Sequence, residues 1–440
     1  MSLLKCTLAS LVDQNPVLRV INSDEEYVDR ILNQEISLEL FDEIAKRGKA
    51  ISVTENFREV IDSFHVPAGE TPAGFRVEYH LKADGLILAD LYRDISYDRN
   101  GIKRPTKMIF SADTANPYEV EHMKGLIGNL TCNPAIIYNN FINNPDANVG
   151  NKYKTRDEVL KDIGDIIGPG CDISVELNDP YGSSESEILE EAARFRELLS
   201  KYRVVIKVPH TGPFNSENVS QILTGDKKFG QRYNQGKTGD FYRGHNLALM
   251  LREHGYRVNF TLMYEPYQTA LALQARPYFI NSFIQVRHSH TLHMSGLMRA
   301  YEETGDPAFI EELQKFTVES DYLSAGEIGG DLFTTYTRAK NTLKYRGFDG
   351  DPDFDGLDSI RYNLRRLRSA NLPDTRLIIC NLHGEYYYPN IDKLLMDPEF
   401  TDMQDRIVLT ASPDLLAPYT SSPLVVLFQR RFLNATGGAK

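Results

Sequence analysis

Eight short, apolar, β-branched runs separated by helix-like segments fill the chain after about residue 105, and no other feature limits its fold so tightly. They are Met108–Asp113, Ile127–Thr131, Asp172–Leu177, Val204–Val208, Val258–Met263, Phe279–Ile284, Arg376–Asn381 and Ile407–Ala411. Strands that alternate with helices pair in parallel, because each crossover helix returns the chain to the same end of the sheet. Eight such strands close a TIM barrel, so the expected fold class is α/β, a (β/α)8 barrel. The connecting segments agree. In Ser184–Lys201, Ile188, Leu189, Ala192, Phe195, Leu198 and Leu199 share one helical face behind serines and acidic first-turn residues. A helix His245–His254 stops at Gly255, and Asn116 is placed to cap a helix with Pro117 at its first position.

Residues 1–104 lack this alternation. Ile36–Lys49 reads as a helix, and Phe75–Leu81 with Leu86–Tyr92 as a hairpin turning at Lys82–Gly85. The organisation expected is an N-terminal extension over 1–104, of open role, and a barrel domain over 105–440. Two stretches within the barrel are long, Gly212–Gly244 after the fourth strand and Ser289–Pro373 after the sixth. Both follow C-terminal strand ends, the face that carries chemistry in such barrels.

Composition narrows the partners. The chain has 440 residues, enough for a large core, and a net charge of -12. That balance argues against nucleic acid and anionic membranes, which attract basic surfaces. The four cysteines form no CxxC pair, so neither a disulfide framework nor a zinc site is indicated, and a reducing cytoplasm is the simplest compartment. The opening MSLLKCTLASLVDQN is broken by Asp13, lacks a cleavage site and is too short to span a bilayer. Self-association into a homo-oligomer stays open.

Polar residues recur at or near the ends of successive strands. Lys207 sits inside Val204-Val-Ile-Lys-Val-Pro209, where desolvation would lower its pKa and supply a neutral amine for imine formation. The plain alternative is a lysine whose stem snorkels to solvent. Asp113 ends the first strand, where it faces the barrel mouth as a general acid/base or serves as a helix cap. Asn133 follows the second strand, Glu176 lies in the third, and Asn259 with Thr261 in the fifth. Singly, each reads as a satisfied core or turn residue. Together they form the pattern by which barrel enzymes assemble a site.

In order, Ala112-Asp-Thr-Ala-Asn116, Leu130-Thr-Cys-Asn-Pro-Ala135, Ile173-Ser-Val-Glu-Leu177, Val205-Ile-Lys-Val-Pro209, Val258-Asn-Phe-Thr-Leu-Met263 and Phe279-Ile-Asn-Ser-Phe283 resemble the motifs of the transaldolase family. The resemblance covers about residues 107–285 and, more thinly, 375–416, where Leu409-Thr-Ala-Ser-Pro-Asp-Leu-Leu416 looks like the last strand and helix. It implies that Lys207 forms a Schiff base with a ketose. Asp113 would take the C4 hydroxyl proton, Glu176 and Thr261 would handle protons through a water, and Asn133 and Asn259 would hold the dihydroxyacetone unit. No metal or organic cofactor is implied, since the iminium is the electron sink. The substrate implied is a sugar or sugar phosphate, in metabolism of the pentose phosphate kind. Glu176 and Phe283 go with transfer in this family; a glutamine and a tyrosine go with simple cleavage. A lyase releasing dihydroxyacetone and a non-catalytic sugar-binding or interaction barrel are the alternatives.

Several positions depart from the family pattern. Cys132 and Asn281 stand where small residues are usual. Arg287, a candidate phosphate grip, falls one residue late, and His383 stands where an arginine-containing motif is expected, with only part of its binding capacity. Lys227, Lys228, Arg232, Lys237 and Arg243 on the fourth loop could compensate or simply be solvated. His288, His290 and His293 lack the partners of a zinc site and would instead shape the substrate entrance. Asp351-Pro-Asp-Phe-Asp-Gly356 mimics half an EF-hand loop, but its twelfth position is Tyr362, and Arg361, Arg365, Arg366 and Arg368 read as a solvated helix face.

Overall fold

The structure is a computed structural model that describes residues 6–64, 71, 75–93, 95–98, 102–168, 170–199, 203–348, 354–382, 384 and 386–437. Eight parallel strands close into a barrel: β1 (Ile109–Asp113), β2 (Ile127–Cys132), β3 (Asp172–Glu176), β4 (Arg203–Pro209), β5 (Arg257–Thr261), β6 (Phe279–Phe283), β7 (Arg376–Cys380) and β8 (Ile407–Ala411). Pairing of β8 with β1, Val408 beside Ile109 and Ala411 beside Ala112, completes the ring. The fold is the (β/α)8 barrel the alternation requires.

Residue alternation sorts each strand into two faces. Leu130, Cys132, Ile173, Val175, Ile206, Val208, Val258, Phe260 and Leu409 join the core under the helices. Ile109, Val205, Phe279, Ile378, Cys380 and Val408 pack in a second cluster inside the barrel. Cys132 therefore faces the helix layer, where burial pushes its thiol up to about 12. That explains how a cysteine is accommodated beside a candidate site without lining it.

The helices follow their sequence signals. Ser184 caps Glu185–Leu198 in a reciprocal capping box with Glu187. Asn116 caps Pro117–Met123, accepting from the Tyr118 N–H at 3.0 Å. Asp113 is thus not the cap. The helix after β4 runs Thr238–Glu253, beginning well before the expected His245. Gly239 and Gly244 hide its periodicity. Gly244 is there for space, since a Cβ at that position would lie 2.3 Å from the Pro209 carbonyl oxygen. This helix is so clamped to the end of β4, and the Thr211 hydroxyl ties them further by donating to the Asp240 carbonyl at 2.8 Å.

The stretch after β6 builds a helical cluster of Gln285–Thr304, Ala308–Glu319 and Leu332–Tyr345, packed through Met294, Met298, Ile310, Leu313, Ala339 and Leu343. Asp358–Arg368 then returns to the barrel wall, its arginines paired outward as Arg361–Asp355, Arg365–Glu399 and Arg368–Asp402. Of the EF-hand-like segment, residues 351–353 lie outside the described residues. The C-terminal helix Pro423–Ala435 exposes Leu424, Val426, Phe428, Phe432 and Leu433. Among the described residues no helix is long and apolar enough to cross a membrane.

The extension is more than a helix and a hairpin. Its sheet has four strands in the order Arg19–Val20, Ala50–Val53, Leu86–Arg93, Phe75–Leu81, the last two antiparallel and the others parallel. The helices Leu8–Gln14, Leu38–Arg47 and Glu55–Phe64 accompany it, and its core includes Leu11, Ile44, Ile51, Phe57 and Ile87. The two extra strands are too short for a periodicity signal. Beyond the sheet, Ile95 is fully buried in the barrel-interior cluster. Arg104 holds this segment in place, donating to the Ile95 carbonyl at 3.0 Å and the Gly170 carbonyl at 3.3 Å.

Candidate active site

Lys207 faces the barrel interior from β4 and is 6 % exposed. Its Nζ lies 3.1 Å from Glu176 Oε2, and the two residues are register partners on adjacent strands. The side chain does not snorkel. Burial pulls the lysine pKa down, but the Glu176 and Asp113 charges together outweigh it and hold the group above its ordinary value. This corrects the expectation from sequence: the resting side chain is an ammonium ion, not a neutral amine. Its proton has a short path, since transfer to Glu176 would turn a buried ion pair into two neutral groups. Water exclusion by a bound ligand favours that change.

Asp113 ends β1 beside Thr131 of β2, and its charge acts on Lys207. Three buried threonine hydroxyls, on Thr131, Thr261 and Thr410, have no hydrogen-bond partner among the described residues. Such orphans suit a water or a ligand hydroxyl. Leu262, immediately after Thr261, takes a left-handed conformation with φ 58°, at a cost of order 1–3 kcal/mol for a bulky residue. Gln268 holds it there, donating to the Leu262 carbonyl at 3.0 Å and accepting from the Tyr264 and Glu265 N–H groups.

Inward-facing positions on β1, β2, β3, β5 and β6 carry a belt of neutral polar side chains. Asn129 donates to Ser111 at 2.7 Å, and Ser174 to Asn129 at 3.5 Å. Asn259 donates to Ser174 at 3.2 Å, and Asn281 to Asn259 at 2.6 Å. Asn259, the register partner of Lys207 on the neighbouring strand, is thus tied to Asn281 in this chain of hydrogen bonds. Asn281 also donates to the Phe260 carbonyl at 2.7 Å, which is why an asparagine is accommodated at its position. Asn133 lies at the rim and accepts from the Ile136 N–H at 2.9 Å, a helix-starting contact that occupies its carbonyl oxygen.

A cavity of about 540 Å³ opens beyond the ends of β5 and β6. Tyr264 joins it to the lysine: it lines the cavity, packs on Phe283 with ring centroids 4.9 Å apart, and feels the charges of Lys207 and Glu176. Arg287 lines the cavity but is engaged, with Nε 2.9 Å from Glu265 and Nη1 2.7 Å from Asp358. Arg346, from the helical cluster, also grips Glu265, donating to it through Nε at 3.0 Å. His383 lies outside the described residues. The three histidines diverge, His288 to the Tyr387 hydroxyl at 2.8 Å, His290 to the Tyr322 hydroxyl at 3.3 Å and His293 against Phe316. Among the described residues no three metal-ligating side chains come together.

The site residues named from sequence thus separate. Lys207, Glu176 and Asp113 converge; Asn259 pairs in register with Lys207 and binds Asn281; Asn133 and Arg287 work locally. Tyr264, Cys380 and Arg346 were not foreseen. Alternation with Ile378 could have placed Cys380 inside the barrel; nothing in the sequence ties Arg346 to Glu265, 81 residues away.

Residues 110–308 match the family Transaldolase/Fructose-6-phosphate aldolase. The match spans 199 of the 440 residues. The matched span runs from β1 through β6 and takes in Lys207, Glu176 and Asp113. Members of the transaldolase/aldolase family are enzymes, and aldolase-type transfer or cleavage is the activity it supports here. No curated protein matches the chain.

Proposed function

We propose that the protein transfers a dihydroxyacetone unit from a ketose to an aldose through a Schiff base on Lys207. The observation that carries this reading is the buried Lys207–Glu176 pair, 3.1 Å apart, with Asp113 close enough to act on it. Glu176 accepts the lysine proton as the carbonyl arrives, and the neutral amine adds to C2. The carbinolamine then loses its hydroxyl as water, protonated by Glu176 through a water held at the Thr261 hydroxyl. Asp113 removes the C4 hydroxyl proton. The C3–C4 electrons flow to the iminium nitrogen, an aldose departs and an enamine stays on the enzyme. Addition to an acceptor aldehyde and hydrolysis reverse these steps. Transfer rather than cleavage is favoured by Glu176 and Phe283, the pair that goes with transferases in the family. The four cysteines are unpaired thiols, in keeping with a cytoplasmic enzyme of sugar metabolism.

The test is borohydride reduction of the enzyme with a ketose, followed by peptide mass spectrometry. An adduct on Lys207, absent from Lys207→Ala together with all turnover, is the expected result. Undiminished activity in Lys207→Ala would sink the mechanism. Turnover that does not depend on an acceptor aldehyde would reassign the enzyme as a lyase.

A further inference from the structure

The cavity that Tyr264 links to the lysine bears on what the rest of the substrate carries. Its walls include five tyrosines, Tyr233, Tyr264, Tyr267, Tyr322 and Tyr345. Aromatic faces pack on the C–H faces of a sugar, and phenol hydroxyls exchange hydrogen bonds with its hydroxyls. The basic side chains on the walls are Arg287, His290 and Arg346. Both guanidiniums are buried and bound to Glu265, and Arg287 is bound to Asp358 as well. Burial, with Arg346 and His293 nearby, holds the His290 pKa below its ordinary value, so the ring is neutral at pH 7. Arg287 Nη2 is buried without a partner among the described residues. The two N–H groups of one nitrogen on a neutralised cation suit hydroxyl oxygens, whereas a phosphate dianion calls for uncompensated charge or donors converging from several residues.

Four of the fourth-loop cations, Lys228, Arg232, Lys237 and Arg243, are engaged elsewhere. Lys228 donates to the Glu319 carbonyl at 2.7 Å, and Arg232 is paired with Glu327. Lys237 lies 3.5 Å from Glu217, and Arg243 donates to the Pro180 carbonyl at 2.6 Å and to that of Ser183. Lys228, Arg232 and Arg243 tie the loop to its neighbours.

We propose that the tyrosine-walled cavity receives an uncharged, polyhydroxylated portion of the substrate, so that the sugars handled are unphosphorylated. This rests on the Schiff-base reading, and the experiment separates the two. The full chain is reduced with borohydride in the presence of dihydroxyacetone, fructose or fructose 6-phosphate, and labelling of Lys207 is followed against concentration, with and without inorganic phosphate. Half-maximal labelling by fructose at a concentration no higher than that for fructose 6-phosphate, without competition by phosphate, is expected. A preference of roughly tenfold or more for the phosphorylated sugar overturns the proposal and leaves the Schiff base standing. So does labelling by dihydroxyacetone alone. No labelling by any of the three overturns both. Asp358→Asn strips one partner from Arg287 and is expected to improve labelling by fructose 6-phosphate several-fold. An unchanged preference in that variant would overturn the claim that pairing silences Arg287.

Discussion

The two ends of the barrel are built from opposite materials. At the N-terminal end, Ile95 is inserted among Ile109, Val205, Phe279, Ile378 and Val408, and the extension stacks Phe75 under Arg257 at 4.5 Å. At the C-terminal end the interior holds a lysine, two carboxylates and hydroxyls that lack partners among the described residues. One end stabilises by apolar burial. The other keeps ions out of water at a cost that only ligand binding or chemistry repays. Between them the asparagine–serine belt satisfies its own hydrogen bonds and keeps the floor of the site fixed. The chain thus separates what holds the barrel together from what it does, along a single axis.

Variants at each end should therefore fail differently. The largest effect is expected for Asp113→Ala, which should cut turnover by roughly 10²–10⁴-fold while the borohydride adduct on Lys207 still forms. Loss of the adduct in that variant would mean that Asp113 acts on imine formation, and steady-state kinetics beside mass spectrometry decide it. At the opposite end, Ile95→Ala should cost about 2–5 kcal/mol in a urea melt and leave labelling per folded molecule unchanged. A variant that melts normally but labels poorly would show that the two ends are coupled. The subtlest readout is a displacement along the pH axis, beside the slower labelling that loss of the Glu176 acid/base brings. Glu176 holds the Lys207 pKa up against burial, so Glu176→Gln should let it fall, and the rise of labelling with pH should move to lower pH. A shift to higher pH would show that Glu176 is not what keeps the lysine protonated.

The barrel was legible because its signals are local and repeated: all eight strands lie where the apolar runs are, and Asn116 and Ser184 cap helices as their types prefer. Lys207 and Glu176 were legible through alternation, which turns both inward from neighbouring strands. The ionisation state of Lys207 was not, because desolvation acts on a residue wherever it is buried, while the opposing charges come from strands β1 and β3. The grip of Arg346 on Glu265 was hidden for the same reason, since it depends on how the helical cluster folds back. Arg287 shows the limit of reading by residue type: a cation at a plausible distance from a strand end turns out to be neutralised by Glu265 and Asp358.

Closure of the ring by β8 against β1 has a consequence for synthesis. Val408 and Ile109 pair across about 300 residues, so barrel completion waits until β8 has left the ribosome, a high-contact-order and slow event. The core of the extension draws only on residues Leu8 to Leu91 and needs no such wait. It is expected to fold first, as an N-terminal unit formed during translation, and to hold Ile95 ready as the seat on which the late-arriving strands assemble. Pulse hydrogen exchange during refolding checks this order: amides of Ala50–Val53 and Leu86–Arg93 should gain protection before those of β1 and β8.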